Sequence, residues 1–473
     1  MRLKSLVIAS RQSDLARLQA YTVKEALLRL YPSLQIHFNF RESLGDKNLS
    51  DPLWKIPQKG VFTEDFFQDL IQGKCDIVVH SWKDLATEEK KETFVGATLP
   101  RADERDLLLL KKTHFQKVKG SKNIVILTSS PRRVFHLPKF CREFLPWPIE
   151  NCRFESVRGN IATRIRKLFE KDSVDGLVMA KAALDRLLFT EHSEMASTKS
   201  FLKESLAQML WTVIPIHISP AAPAQGALAL EIRRDRDDLI QLLKPLNHHA
   251  TYFEALEERK VLSDYGGGCH QKIGVSTKRL FRGDLSIASG EHANQIFYRR
   301  KFSPRKILDI HFSPRDCLCV TSEEVFFSKP LDYSIPENIE AVEVSKIPAN
   351  LEPLKTFGGI LWTSGLETWK KLAQQGIWVH GSQESLGENS LARPRGDSGA
   401  ALRWVKLTHK TKIDYLKTWG SKDILRDPFN DTTSAHLEDL SNLNLSPPAV
   451  TSGGYFLRAL QFGSSRARVA CDI

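Results

Sequence analysis

The sequence predicts an α/β protein with two successive α/β domains, a smaller α+β domain and a C-terminal α/β extension. Short apolar runs alternate with helical patterns in the order βαβαβ, first over residues 6–80 and again from about residue 105. Such runs, unlike strict alternation, are typical of a sheet that is covered by helices. A chain of 473 residues and 53.7 kDa has room for about three or four domains.

The elements of the first two units follow from apolar periodicity. In the first unit we predict strands at 6–9, 36–40 and 76–80, and helices at about 14–30 and 62–71. In the second unit we predict strands at 107–110, 124–127, 153–157 and 175–180, a helix at 161–170 and a helix that contains Arg186. A strand at 228–232 follows a segment rich in Pro and Ala, which suits a crossing back to the first unit.

These patterns give predicted domain boundaries. Residues 1–102 plus 218–234 form α/β domain 1, 103–217 form α/β domain 2, and 235–330 form the α+β domain. Several prolines between Pro330 and Pro353 predict a linker, and 340–473 form the extension. The extension holds a weak repeat of strand, Thr-Ser-Gly, helix and strand at 360–379 and 449–471. The sequence stops soon after the last strand, so we expect the extension to be either incomplete or degenerate.

Composition limits the function classes. The formal charge of +12 suggests nucleic-acid binding, but the basic residues lack the dense runs and interleaved aromatics of nucleic-acid grooves. No apolar run approaches the length of a membrane span or a secretory signal. The seven cysteines are odd in number and form no CxxC pair, which predicts a reducing cytoplasm and no metal site.

Four strand-to-helix loops carry hydroxyls and cations. They are residues 10–13, 81–84, 128–133 and 158–160. Ligands of open α/β sheets bind at the carboxyl ends of strands, where helix N-termini and arginines favour carboxylates or phosphates. In one loop the hydroxyls could equally be helix caps and the arginines solvated. Four such loops in two units predict a polyanion in a cleft between two domains.

Asp84 and Cys269 are two further candidate functional residues. Asp84 is a carboxylate among these cations, and its possible roles are pairing with a neighbouring cation or contact with a cationic or N–H-bearing group of the ligand. Cys269 follows three glycines, Gly266–Gly268, on a loop between a helix and a strand. Glycines permit a tight turn close to a ligand. The alternatives are an ordinary glycine turn or a functional thiol.

These motifs together resemble the hydroxymethylbilane synthase (porphobilinogen deaminase) family, in the family's order and over residues 5–325. The motifs lie at 7–16, 80–85, 128–133, 157–160, 225–227 (Gln-Gly-Ala) and 267–269. The resemblance implies two periplasmic-binding-protein-like α/β domains and a domain that anchors the cofactor. It also implies a transferase that joins four porphobilinogen molecules head to tail with loss of ammonia and releases hydroxymethylbilane for haem biosynthesis.

The resemblance also implies residue roles. A dipyrromethane cofactor would be bound as a thioether to Cys269, and Asp84 would be the catalytic carboxylate, stabilising a cationic azafulvene-like intermediate. The cofactor's carboxylates would be bound by Lys83, Ser81, Thr128, Ser129, Ser130, Arg132, Arg133 and Arg158, and the substrate's by Arg11, Ser13 and Arg186. We expect Gly266–Gly268 to let the attachment point yield as the chain grows, so that alanines there slow later additions most.

Some positions depart from the family pattern. Ala86, Ala224 and Trp82 replace the usual proline, glycine and smaller apolar residue, and we expect Pro138 and 146–148 to interrupt the helix after Arg133. The extension resembles a uroporphyrinogen-III synthase in its two Thr-Ser-Gly units and in residues 384–387. Such an enzyme would receive the product. We expect no independent synthase activity, because the extension is smaller than a two-lobed synthase; a bifunctional chain and a packing or self-association domain remain alternatives.

Other classes of protein account for fewer of these sequence features. A non-catalytic, two-lobed anion-binding protein accounts for the arginine loops but gives no role to Cys269 or Asp84. A thiol enzyme would pair Cys269 with His270, but adjacent residues rarely face each other on an extended segment. We therefore predict a cytoplasmic, monomeric enzyme whose partner is porphobilinogen, with no nucleic acid or membrane.

Overall fold

The computed structural model describes residues 3–42, 64–88, 90–268, 271–280, 283–305, 333–387, 390–396 and 399–407, with the backbone of 418–419. These residues form a mixed α/β structure with four sheets, as predicted. Among them no helix is long and apolar enough to cross a membrane.

The first sheet has the strand order β2-β1-β3-β10-β4, in which β10 is Leu228–Arg233. β1 pairs in parallel with β2 and β3, and β10 is antiparallel to β3 and β4. Its elements are β1 (Ser5–Arg11), α1 (Asp14–Leu30), β2 (Gln35–Arg41), α2 (Glu64–Ile71), β3 (Ile77–Ser81) and β4 (Thr93–Ala97). Leu6, Ile8, Ile77 and Val79 are buried in its core, as their apolar runs predict.

The second sheet repeats this arrangement with the order β7-β6-β8-β5-β9. β6 is parallel to β7 and β8, and β5 is antiparallel to β8 and β9. Its elements are β5 (Asp106–Lys111), α3 (Phe115–Ser121), β6 (Asn123–Leu127), α4 (Pro131–Phe144), β7 (Asn151–Glu155), α5 (Ile161–Glu170), β8 (Gly176–Ala180), α6 (Lys181–Leu188), α7 (Ala196–Ala207) and β9 (Met209–Ile214).

Two chain segments connect the two sheets. The first crossover, residues 98–105, runs from β4 to β5, and the second, residues 215–227, runs from β9 to β10 (Leu228–Arg233). Strand β10 enters the first sheet with Leu228 opposite Ser81. Both crossovers therefore lie beside the loop that carries Lys83 and Asp84.

The third sheet is an antiparallel meander packed on a helix. α8 (Asp237–Leu243) and α9 (His249–Asp264) precede β11 (Gly274–Leu280), β12 (Gly283–His292) and β13 (Gln295–Pro304), in the order β11-β12-β13. Glu258 on α9 is fully buried and accepts backbone N–H bonds from Ala224 and Thr277, both at 2.7 Å. This carboxylate links the second crossover to the third sheet.

The fourth sheet belongs to the C-terminal region and has the order β16-β15-β14-β17-β18. Its elements are β14 (Ala341–Val344), α10 (Glu352–Thr356), β15 (Ile360–Thr363), α11 (Leu366–Gln374), β16 (Gly381–Ser382), β17 (Trp404–Leu407) and β18 (Thr418–Trp419). The first half of the Thr-Ser-Gly repeat is thus strand–helix–strand. The second half, residues 449–471, lies outside the described residues.

Three local predictions were wrong. The predicted linker contains β14, the buried central strand of the fourth sheet. The predicted strand at 377–379 is a connection with Ile377 and Val379 in the core, and the strand begins at Gly381. Helix α4 continues through Pro138 to Phe144. The proline removes the N–H that would bond to the carbonyl of Val134, which lies on the exposed side of the helix.

The C-terminal region packs against the second unit through aromatic residues. The indole N–H of Trp369 donates to the carbonyl of Phe144 at 3.0 Å, and that of Trp378 to the carbonyl of Trp211 at 3.0 Å. Core residues of both regions form one continuous apolar cluster. The extension is therefore joined to the second unit by a shared core.

Candidate active site

One arginine on α5 interacts electrostatically with a charged residue from each of the four predicted loops. Burial lowers the pKa of Arg164 to about 10, with contributions from the charges of Arg133, Arg158 and Arg11, while Asp84 opposes the shift. Each of these four neighbours comes from a different loop. Strands β1, β3, β6 and β7 thus each bring one charged residue to the neighbourhood of Arg164, as expected for carboxyl ends of neighbouring strands.

Arg164 itself is a residue that the sequence reasoning missed. Its Nε donates to the carbonyl of Gly159 at 2.7 Å, so the side chain reaches back to the start of its own helix. The signal was available, since Arg164 lies six residues after Arg158, on the turn that follows the cap Asn160. Asn160 accepts from the backbone N–H of Thr163 at 2.9 Å and so fixes where α5 begins.

Lys83 and Asp84 lie on a short 3₁₀ turn, Trp82–Asp84, directly after β3. Asp84 is exposed. Lys83 points inward, and its Nζ donates to Oε1 of Gln225 on the second crossover at 3.2 Å. Burial lowers the pKa of Lys83; Asp84 opposes this shift and Arg133 adds to it. The turn therefore presents a carboxylate to the cleft and holds an ammonium group behind it.

Arg132 and Arg133 begin α4 and share one carboxylate. Nη2 of each donates to Asp106, at 2.7 Å in both cases. Arg132 also donates to the carbonyl of Pro220 at 2.8 Å, and Arg133 to that of Val178 at 3.2 Å. Burial would raise the pKa of Asp106, but the two arginines outweigh it and hold that pKa below its usual range. Two buried cations share one anion, which leaves an excess of positive charge.

The predicted hydroxyl groups fall into two classes. Ser81 exchanges hydrogen bonds with the amide of Gln19 at 2.9 and 3.2 Å. Ser129 bonds to Ser156 and Val157 at 2.7–2.9 Å, and Thr128 accepts from the N–H of Ser130 at 3.3 Å. By contrast, Ser13 and Ser130 occupy the N-cap positions of α1 and α4 without a side-chain cap bond. The last two hydroxyls are therefore not committed to capping.

Arg186 on α6 reaches the second crossover. Its Nη2 donates to the carbonyl of Gly226 at 2.7 Å, and burial lowers its pKa to about 10 while Asp185 opposes the shift. Arg186 is half-buried, and the acceptor of its hydrogen bond is a neutral backbone carbonyl. Such a cation is suited to an anionic ligand.

Cys269 and His270 lie outside the described residues, so the predicted thioether position stays a prediction. The three glycines before them all have positive φ, at +89°, +65° and +91°. A Cβ on Gly267 would lie 2.4 Å from Oγ1 of Thr87, whereas one on Gly266 would meet nothing closer than 4.0 Å. Glycine is therefore required here by backbone conformation, and alanine would strain the turn whether or not the loop must yield.

Two departures from the family pattern compensate each other in space. Ala224 adopts φ +61°, a conformation that favours glycine, and its methyl group is fully buried. Trp82 packs against this methyl group and against Ala227, Ala229 and Ala255. The larger tryptophan is thus accommodated by four small neighbours, one of which is the alanine itself.

Known proteins place this site in a family. The model described as "Porphobilinogen deaminase, dipyromethane cofactor binding domain" matches residues 6–241. A porphobilinogen deaminase of Synechococcus sp. (strain CC9902) is 35% identical over 292 residues, 61% of this chain and 83% of the relative. The porphobilinogen deaminase of Syntrophomonas wolfei is 33% identical over 285 residues, which are 60% of this chain and 84% of the relative. That of Dictyostelium discoideum is 35% identical over 280 residues, which are 58% of this chain and 78% of the relative. This chain belongs to the porphobilinogen deaminase family.

Proposed function

We propose that the chain is a hydroxymethylbilane synthase, a transferase that joins four porphobilinogen molecules head to tail, releases ammonia at each step and finally releases hydroxymethylbilane. Family membership supports the reaction. The observation that carries the proposal is the buried pair Arg132 and Arg133, which share a single carboxylate, Asp106, and so leave an excess of positive charge. Porphobilinogen and its oligomers bear carboxylates, so the cleft has the charge that such ligands need.

The site residues suit a dipyrromethane cofactor. The Nε atoms of Arg132 and Arg133 are buried and have no hydrogen-bond partner among the described residues. Acetate and propionate groups would supply the missing acceptors and the missing negative charge. We assign the cofactor's carboxylates to Lys83, Ser81, Thr128, Ser129, Ser130, Arg132, Arg133 and Arg158, and the substrate's to Arg11, Ser13 and Arg186. When bound, the cofactor supplies the pyrrole end to which the first porphobilinogen is joined.

Asp84 is proposed as the catalytic carboxylate. It is exposed at the end of its turn, and its charge acts on Arg164. A carboxylate in this position accepts hydrogen bonds from pyrrole N–H groups and stabilises the positive charge that develops as ammonia leaves. The surrounding arginines neutralise the substrate's own carboxylates, so that Asp84 acts on the ring.

The domain layout, the location in the cell and the enzyme that receives the product are also proposals. The first two sheets would be periplasmic-binding-protein-like domains, 1–102 plus 218–234 and 103–217, and residues 235–330 would anchor the cofactor through Cys269. We propose a cytoplasmic monomer that passes its product to a uroporphyrinogen-III synthase. The likeness of residues 340–473 to such a synthase stays a prediction.

The intact mass of the purified protein tests the proposal. Wild type should carry an excess mass equal to two linked pyrrole units, and Cys269→Ser should not. Cys152→Ser, which changes a half-buried cysteine on β7, is the matched control and should keep the excess. An unmodified wild type after incubation with porphobilinogen would contradict the covalent primer and favour a non-catalytic anion-binding protein.

A further inference from the structure

The turn at residues 225–227 (Gln-Gly-Ala) touches several parts of the proposed site without facing the cleft itself. It ends the second crossover, and Gln225 is 1% exposed. The backbone carbonyl of Gln225 accepts from Nε of Arg101 on the first crossover at 2.8 Å. The turn is thus fixed at the point where both connections between the two units run side by side.

The amide of Gln225 joins the two units. Its Nε2 donates to Oδ1 of Asp106 at 3.0 Å and to the carbonyl of Glu104 at 2.6 Å. Its Oε1 accepts from Nζ of Lys83 at 3.2 Å. Two donors and one acceptor are all engaged, and exchanging the amide's N and O would oppose every one of these contacts. The orientation of the amide is therefore determined by its neighbours.

The rest of the turn holds neighbouring residues through its backbone. The carbonyl of Gly226 accepts from Arg186 at 2.7 Å, and the carbonyl of Ala227 accepts from the backbone N–H of Trp82 at 3.0 Å. Gly226 has φ +88°, and a Cβ there would lie 2.5 Å from the carbonyl oxygen of Ala102. Only glycine fits, so the carbonyl can be presented to Arg186 at this position.

We propose that Gln225 is a positioning residue that holds Lys83 of the first unit in register with the Arg132–Arg133 pair of the second, through Asp106. This inference rests on the proposed function, because it assigns Gln225 to the same cation site. Gln225 touches no reacting atom. It acts by keeping the ammonium and the two guanidinium groups at fixed separation, as a ligand with several carboxylates requires.

The charges around Lys83 determine how a substitution of Gln225 changes the pKa of Lys83. Asp84 and Asp106 favour its ammonium form, while Arg132, Arg133 and burial oppose it. The amide oxygen of Gln225 accepts from the ammonium and so adds to the first group. Gln225→Leu removes that acceptor at nearly constant volume, which lowers the pKa of Lys83 further. Gln225→Glu keeps the shape, and a second carboxyl group beside Asp106 takes up a proton, so that this variant keeps an acceptor for Lys83 and a donor for Asp106.

Steady-state kinetics give the first test. Gln225→Leu should lower kcat/KM for porphobilinogen about 100-fold, the effect of a small misplacement of binding groups. In a Lys83→Met background the same change should cost no more than about tenfold, because no ammonium is left to position. An equal loss in both backgrounds would mean that Gln225 only supports the fold. Gln208→Leu, an exposed glutamine, is the control and should leave kcat/KM unchanged.

Amine labelling gives a second readout that is independent of activity. After a short pulse of acetic anhydride at fixed pH, peptide mass spectrometry reports the acetylation of each lysine. Lys83 should react several-fold faster in Gln225→Leu than in wild type, and at close to the wild-type rate in Gln225→Glu. Lys111 is the internal control, since it is 4% exposed and its Nζ donates to the carbonyl of Lys171 in the second unit; its rate should not change.

The outcomes separate the two proposals. If wild type makes no product from porphobilinogen, the proposed function fails, and the labelling still decides whether Gln225 holds Lys83. If wild type is active but labelling of Lys83 is the same in all three proteins, the positioning role is wrong. Should Gln225→Leu not fold, Gln225→Met, which also lacks the acceptor at similar volume, decides in its place through the faster labelling of Lys83.

Discussion

The buried arginines of the first crossover differ from those proposed to line the cleft. On the first crossover, Arg101 bonds to both carboxylate oxygens of Glu258 at 2.8 Å, with Glu104 and Glu254 3.7 Å away. Arg105 bonds to Asp103 at 2.8 and 2.9 Å. Burial disfavours both cations, but these carboxylates outweigh burial and raise the pKa of Arg101 and Arg105.

In the cleft the balance is reversed. Burial lowers the pKa of Arg132, Arg164 and Arg186, and the neighbouring carboxylates do not restore it. We call Arg101 and Arg105 the structural set and the other three arginines the cleft set. The two sets differ in the supply of negative charge. A buried cation with its own carboxylate is part of the fold, whereas one that shares or lacks a carboxylate favours an anionic ligand.

The largest expected effect tests the structural set. Arg101→Leu leaves Glu258 buried without its cation, and breaking a buried pair from one side costs about 3–5 kcal/mol. Urea unfolding should show a loss of that size in the free energy of unfolding. Arg166→Leu, which removes an exposed arginine that lies over the ring of Phe201, should change it by about 0.5 kcal/mol or less. A similar small loss for Arg101→Leu would contradict the division into two sets.

The next effect tests the cleft set. Arg186→Met removes a cation that burial disfavours, so the free energy of unfolding should fall by less than about 1 kcal/mol or even rise. Activity should suffer instead. Hydrogen bonds to charged groups contribute about 1.5–3 kcal/mol, and kcat/KM for porphobilinogen should fall about 10- to 100-fold. Arg142→Met, on the exposed side of α4, should alter neither quantity. A loss of stability with unchanged kcat/KM would place Arg186 in the structural set.

The sequence predicted these strands, and the cations that follow them, because both signals are local. Apolar runs locate strands, and cations directly after a strand must lie at the edge of the sheet whatever the rest of the chain does. The pairing of those cations is not local. Asp106 and Gln225 are 119 residues apart in the chain and meet only where the two crossovers run together. No sequence pattern therefore marked Asp106 as part of the site. The Gln-Gly-Ala motif that contains Gln225 was recognised, but no role was assigned to it.

The C-terminal region shows where local signals mislead. The run Ala341–Val344 contains Glu343, and a charged residue between prolines predicts a linker. In the structure Glu343 is 1% exposed and accepts from Ser364 at 2.6 Å, with Lys406 3.4 Å away. Ser364, which follows β15, and Lys406 on β17 stabilise the carboxylate inside the sheet. They lie 21 and 63 residues further along the chain, beyond any local window.

The smallest expected effect compares the two sets by ligand binding alone. In Cys269→Ser, which lacks the proposed attachment point, a simple polycarboxylate such as citrate should bind the cleft cations and stabilise the protein. At ten times its Kd the gain is about 1.4 kcal/mol, measurable as a rise in Tm. Adding Arg164→Met should abolish most of this gain, because Arg164 faces all four loops. Adding Lys122→Met, a half-exposed surface lysine paired with Glu150, should leave it unchanged. Equal gains in both variants would mean that citrate acts on the surface, and that the uncompensated cations of the cleft do not form a site by themselves.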